Sequence, residues 1–230
     1  ADGMGGHQAG DFASRSIAES VASVGRPASA PDLQARFMDR IARAHAIIQD
    51  QSRRLNGATV GATLVALLAY GRHFACVWSG DSRVYLLRGG TYQQVTTDHT
   101  EVNELLRQGA ITPEQAASWP RRNVITRAIG VRDRPMTDEI AGGLAHGDVF
   151  LLCSDGLTEH VEDAEMAQAI ATMAPQAACD ALVQLTLSRG AKDNGTVVVV
   201  RCLDRMAAGR AVPPAVGASR PGGDEWHVDA

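Results

Sequence analysis

Apolar residues recur at helical spacing over residues 8–24, where Ala9, Phe12, Ala13, Ile17 and Val21 share one face. A second helix is predicted over 31–55. Leu33, Phe37, Ile41, Ala44 and Ile48 form its apolar face and Arg36, Arg40 and Arg43 flank it, with Pro31 suited to the first turn and Gly57 to a stop. The apolar stripe reads as core and the arginines as a solvated face. The pattern then shifts to short β-rich runs at 62–70, 73–79, 83–88 and 92–96, separated by Gly71-Arg72, Gly80-Asp81-Ser82 and Gly89-Gly90. Connections this short predict antiparallel hairpins. A helix follows over 101–108. The polar segment 109–134, with a short helix from Thr112 and the arginines Arg121, Arg122 and Arg127, is long enough to be a flap over a site. The apolar run 149–157 is too short for a helix and long enough for a strand buried on both faces. Helices are predicted over 163–173 and 176–189, the second opened by Pro175 and closed by Gly190, and a last strand over 196–202. From residue 204 the apolar period is lost, so 204–230 reads as a flexible tail.

Composition narrows the class. The 230 residues are 45% hydrophobic and 21% charged with a formal charge of −4, which suits one sizeable globular domain and gives no sign of a nucleic-acid surface. The longest apolar stretch, near 63–70, falls far below the roughly 18 residues of a membrane span, and no signal segment opens the chain. A cytoplasmic location is expected, with no membrane partner. Cys76, Cys153, Cys179 and Cys202 are widely spaced without a Cys-x-x-Cys pair, which favours buried reduced thiols over disulfides or zinc ligands.

Candidate chemistry lies in three similar stretches. Asp155-Gly156 ends the apolar run, Asp2-Gly3 opens a glycine-rich hexapeptide, and Asp193-Asn194-Gly195 precedes the last strand. Each alone is an Asp-Gly type of turn. If the three ends converge, the carboxylates repel. Two unit charges about 4 Å apart cost roughly 4 kcal/mol at an effective dielectric near 20. Hard divalent ions such as Mg2+ or Mn2+ would relieve that repulsion, and the glycines would let a carbonyl such as that of Gly3 serve as a further ligand. Asp98 or Thr100 could cap the helix that follows, Asp98 reads equally as an ion ligand, and Asp81 reads as part of a turn.

In chain order, Asp2-Gly-Met-Gly-Gly-His7, Gly80-Asp-Ser-Arg83, Asp98-His99-Thr100, residues 123–130, Leu152-Cys-Ser-Asp-Gly-Leu157 and Lys192-Asp-Asn194 with Thr196 resemble the motifs of the metal-dependent protein serine/threonine phosphatases of type 2C, in their bacterial form. The resemblance covers residues 1–203. It implies an α+β fold, a four-layer αββα sandwich of two antiparallel sheets flanked by helix pairs. It also implies a centre of two main Mn2+ or Mg2+ ions and a third. Asp2, the Gly3 carbonyl, Asp155 and Asp193 would hold the main pair and Asp98 the third, with Asp2, Asp155 and Asp193 as the catalytic set. The implied activity is hydrolysis of phosphoserine and phosphothreonine by direct attack of a metal-activated water. The implied partners are a phosphoprotein substrate and a cognate serine/threonine kinase, and the motifs look like those of phosphatases encoded with type VI secretion systems.

Three departures accompany the resemblance. The family has an earlier strand with an arginine and an Asn-Glu-Asp ligand, so an upstream strand is expected. Met4 stands where animal members have a histidine, and His7 does not inherit its role. Two alternatives stay open: a scaffold that binds metal or phosphoprotein without turnover, and a phosphatase of a sigma-factor regulator.

Overall fold

The structure is a computed structural model that describes residues 1–191, 194–203 and 220–221. In chain order its elements are β1 (Gly3–Met4), α1 (His7–Ala22), α2 (Ala30–Arg54), β2 (Gly61–Ala62), β3 (Leu64–Tyr70), β4 (His73–Ser79), β5 (Arg83–Arg88) and β6 (Thr91–Gln94). Then come α3 (Glu101–Arg107), α4 (Pro113–Ala117), β7 (Asp138–Gly143), β8 (Val149–Cys153), α5 (Asp155–Thr158), α6 (Asp163–Thr172), α7 (Pro175–Ser188), β9 (Val197–Arg201) and β10 (Arg220–Pro221). The long helices start where their local chemistry allows. Ser29 caps α2 by accepting from the Asp32 amide at 3.2 Å, with Pro31 in the first turn, and Pro175 opens α7.

Two four-stranded antiparallel sheets form the centre, with orders β10-β7-β4-β3 and β6-β5-β8-β9. Alternation along each strand separates the layers. Phe74, Cys76, Trp78 and Ile140 face Val84, Leu86, Phe150 and Leu152 between the sheets, where the Phe74 and Phe150 rings meet edge-on at 4.9 Å. On the outer face of the first sheet, Leu64, Leu68, Ala75 and Val77 pack against Ile17, Phe37, Ile41 and Ile48 of α1 and α2. On the outer face of the second, Tyr85, Leu151 and Cys153 pack against Leu157, Met166, Ile170 and Leu182 of α5, α6 and α7. This is the expected αββα sandwich.

Three features depart from the pattern-based reading. First, β4 and β5 are not a hairpin: they lie in different sheets, so Gly80-Asp81-Ser82 carries the chain from one sheet to the other. Second, β7 was not foreseen. Asp138–Gly143 carries two glycines and only Ile140 as a large apolar residue, and its strand character comes from pairing with β4, Ile140 opposite Cys76. Third, the run 149–157 is not one strand. β8 stops at Cys153, and Asp155 begins the single turn α5. Of the segment read as a tail, Arg220–Pro221 pairs with β7, and the rest lies outside the described residues.

Candidate metal centre and substrate groove

The chemistry-bearing segments meet at one end of the sandwich, where Asp2, Thr63 and Ser82 are tied together by hydrogen bonds. The Thr63 amide donates to the Asp2 carbonyl at 2.8 Å and the Asp2 amide to Thr63 Oγ1 at 2.9 Å. Thr63 Oγ1 also lies 2.7 Å from Ser82 Oγ, both side chains being buried. Asp2 is thereby fixed beside the turn that bears Asp81. The carbonyl of Gly3, a proposed ligand, lies against the first helix, where a Cβ on Gly10 would come within 2.7 Å of it.

Asp155 reaches the same place from β8. Arg83 pairs with Cys153 across β5 and β8, so Asp81 and Asp155 leave neighbouring strands at the same end. Burial, and after it the charges of Asp155 and Asp98, push the Asp81 carboxyl up to about 6. The third stretch arrives against Gly156, where a Cβ would lie 2.6 Å from the Asn194 carbonyl oxygen. Asp193 itself lies outside the described residues.

Asp98 sits close by but is engaged. Arg83 Nε donates to both its oxygens at 3.0 Å and Nη2 donates to Oδ2 at 2.7 Å, while Gln94 Nε2 donates to Oδ1 at 3.0 Å. The cap of α3 is Thr100, which accepts from the Asn103 amide, so Asp98 is neither the cap nor an open carboxylate. Asp81, read from sequence as a turn residue, lines the same groove as Asp155 and feels its charge. The signal that pointed to it was present: Gly80-Asp-Ser-Arg83 is one of the motif stretches, but short spacing between strands made a hairpin the simpler reading.

A groove of about 980 Å³ runs from these acids under the flap segment. Asp81, Asp98 and Asp155 line it together with Leu106, Arg122 and Asn123. Asn123 Nδ2 donates to Glu159 Oε1 at 3.1 Å, a bond that ties the flap to the turn after Asp155. The predicted flap therefore forms a wall of the groove. Among the described residues, no three His, Cys, Asp or Glu side chains form a complete metal-holding group. The donor chemistry still fits a hard divalent ion. The acids that gather are oxygen donors, and the burial that raises the Asp81 carboxyl, with the charges of Asp155 and Asp98 after it, is what a cation would offset.

The chain belongs to the protein phosphatase 2C family, whose profile matches residues 1–187. Among relatives, it is 38% identical over 207 residues to the serine/threonine protein phosphatase PstP of Mycobacterium tuberculosis, covering 89% of this chain and 40% of that protein's length. Among solved structures it resembles PppA, described as a key regulatory component of T6SS in Pseudomonas aeruginosa. That match has a TM-score of 0.78 and 40% identity, over 87% of this chain and 83% of that one. It also resembles the catalytic domain of PstP in complex with two manganese ions, with a TM-score of 0.76 and 35% identity over 88% and 85% of the two chains.

Proposed function

We propose that this chain is a Mn2+- or Mg2+-dependent protein serine/threonine phosphatase that acts on phosphoserine and phosphothreonine in proteins. The observation that carries the proposal is the placement of Asp81 and Asp155 in one groove, with the Asp2 backbone tied through Thr63 to the neighbouring Ser82, in a chain matching the family over residues 1–187. In this reading Asp2, the Gly3 carbonyl, Asp155 and Asp193 hold the main ions, and Asp81, in place of Asp98, serves with Asp155 for a third. Residues 1–203 make the phosphatase domain and 204–230 an appended tail.

Divalent ions held there would lower the pKa of a water towards neutrality and offset phosphoryl charge. The chain's own contribution is positional, as phosphoryl transfer demands. Strand ends of two sheets hold the carboxylates, and Asp98 pins the Arg83 guanidinium, which lines the same groove. The groove walls, with Arg122 and Asn123 on the flap side, orient the phosphoprotein. A cognate bacterial serine/threonine kinase would be the opposing enzyme, in the cytoplasm, and the likeness to PppA favours a setting of the T6SS kind. Among the described residues no helix is long and apolar enough to cross a membrane.

The test is hydrolysis of a phosphothreonine peptide with Mn2+ and after EDTA treatment, for the wild type and for Asp155→Asn and Asp193→Asn. Each substitution removes ligand charge at constant volume, so turnover should fall by at least about 10²-fold, the scale on which misplaced reacting groups act, while circular dichroism stays unchanged. Wild-type turnover in either variant overturns the proposal.

A further inference from the structure

Asp81 is the middle residue of a turn whose two neighbours are both pinned. On one side Ser82 is hydrogen-bonded to Thr63. On the other, His99 holds Gly80 twice: its amide donates to the Gly80 carbonyl at 2.9 Å, and its ring Nδ1 accepts from the Gly80 amide at 3.1 Å. The second bond is unusual in kind, because a buried backbone donor is satisfied by a side chain nineteen residues away.

That ring is itself held in place. His99 is 6% exposed, and its imidazole lies 11° from the plane of the Trp78 indole with centroids 6.0 Å apart. Trp78 is anchored by its Nε1, which donates to the Thr97 carbonyl at 2.8 Å. Because Nδ1 accepts, the ring proton is assigned to Nε2, which donates to Asp138 Oδ2 at 3.0 Å. Asp138 Oδ1 in turn accepts from Arg127 Nη1 at 2.7 Å. The chain of contacts runs Arg127, Asp138, His99, Gly80 and ends at the residue before Asp81. Gly80 cannot relax away from it: its φ is +109°, and a Cβ there would lie 2.8 Å from Thr63 Cγ2.

We propose that His99, steadied by Asp138 and Trp78, is a positioning residue that directs the Asp81 carboxylate towards Asp155 through the Gly80 amide. Its role resembles that of outer partners in metal sites, which orient a ligand without touching the ion. The inference rests on the phosphatase reading above and adds a residue to it. None of His99, Asp138 and Trp78 lines the groove, so a direct role in substrate binding is not available to them.

The experiment measures Mn2+ binding by calorimetry, together with kcat and KM on a phosphothreonine peptide, for His99→Phe and His99→Asn. The asparagine Oδ1 can occupy the place of Nδ1 and accept from Gly80, and phenylalanine cannot. His99→Phe is expected to weaken Mn2+ binding by about tenfold or more, within the range seen when such outer partners are removed. It should lower kcat with KM held within about twofold, and His99→Asn should recover most of both losses, as an orienting role requires. A folded His99→Phe with wild-type Mn2+ affinity overturns the inference, as does His99→Asn that is no better than His99→Phe. If His99→Phe does not fold, Asp138→Asn decides. It keeps an acceptor for Nε2 and removes the charge, and unchanged Mn2+ affinity there overturns the inference. Asp155→Asn is measured alongside. If it loses Mn2+ binding while His99→Phe does not, only this inference falls. If it binds and turns over like wild type, the metal reading falls and takes the inference with it.

Discussion

Gly156→Ala offers a test that separates placement of the site from stability of the fold. Gly156 lies in α5 and its φ is outside the left-handed region, so alanine meets no backbone strain and gains about 1 kcal/mol of helix propensity. What it meets is backbone. The new Cβ would sit 2.6 Å from the Asn194 carbonyl oxygen, 3.1 Å from Gly195 Cα and 3.2 Å from the Asn194 carbonyl carbon. The first of these is roughly 0.8 Å short of ordinary contact. The segment 194–195 must therefore move away from Asp155, and it leads directly from Asp193. Overpacking of this kind costs about 1–3 kcal/mol, so after the propensity gain the net loss of stability should be about 0–2 kcal/mol. The effect on chemistry is larger, since a displacement near 1 Å in a reacting constellation costs about 10²-fold, or roughly 2.7 kcal/mol of barrier. Urea unfolding and Mn2+-dependent hydrolysis on the same preparation check both numbers. Activity within threefold of wild type would refute the view that the 193–195 segment completes the site against Gly156.

Much of this architecture was legible because the periods are strong. The apolar stripe of α2 and the unbroken run Val149–Cys153 each identify an element and its buried face without any partner in view. What was not legible depends on contacts between distant residues. A short link between two strands looks the same whether they pair with each other or enter different sheets, so the role of Gly80-Asp81-Ser82 as a sheet switch could not be read locally. The engagement of Asp98 is hidden in the same way. Arg83 and Asp98 are fifteen residues apart, and only the placement of β5 beside the segment before α3 brings the guanidinium onto the carboxylate. β7 was invisible for a third reason: with Gly142 and Gly143 in it, the segment has little strand preference of its own and takes its conformation from β4. The carboxylate at the end of β8 was legible as a candidate because the apolar run ends there in a charged residue and a glycine. Its exact setting in a helical turn was not, because Cys153-Ser154-Asp155-Gly156 suits a turn as well as a helix start.

Further expectations concern the ion pairs and the acids. Arg88 binds Asp148 through Nε and Nη2 at 2.8 and 2.7 Å, with the Asp148 side chain 1% exposed. Arg88→Ala should therefore cost about 3–5 kcal/mol in urea unfolding by leaving a buried charge unpaired, and a loss under 1 kcal/mol would contradict this. Hydrogen bonding from His99, and then from Arg127, holds the Asp138 carboxyl below its usual range. Its stabilising contribution is thus present above the unfolded value near 3.9 and disappears as pH falls through the lower folded value. Asp138→Asn should flatten the acid limb of the stability curve below about pH 4, and an unchanged limb would exclude this residue as a source of acid sensitivity. The last expectation separates Asp81 from Asp98. Without a cation, Asp81 is held ionised against burial and against the charge of Asp155, so its carboxyl is raised and its charge destabilises the fold at neutral pH. Asp98 differs in its contacts, being a carboxylate hydrogen-bonded by Arg83 and Gln94. Asp81→Asn should raise the Tm of the metal-free protein and weaken Mn2+ binding, because the same charge that strains the empty site attracts the ion. Asp98→Asn should lower the Tm, because about 1–3 kcal/mol of charged hydrogen bonding is lost, and leave most Mn2+ binding in place. Differential scanning fluorimetry with and without Mn2+ reads both variants together, and the opposite pattern would return the ion-binding role to Asp98.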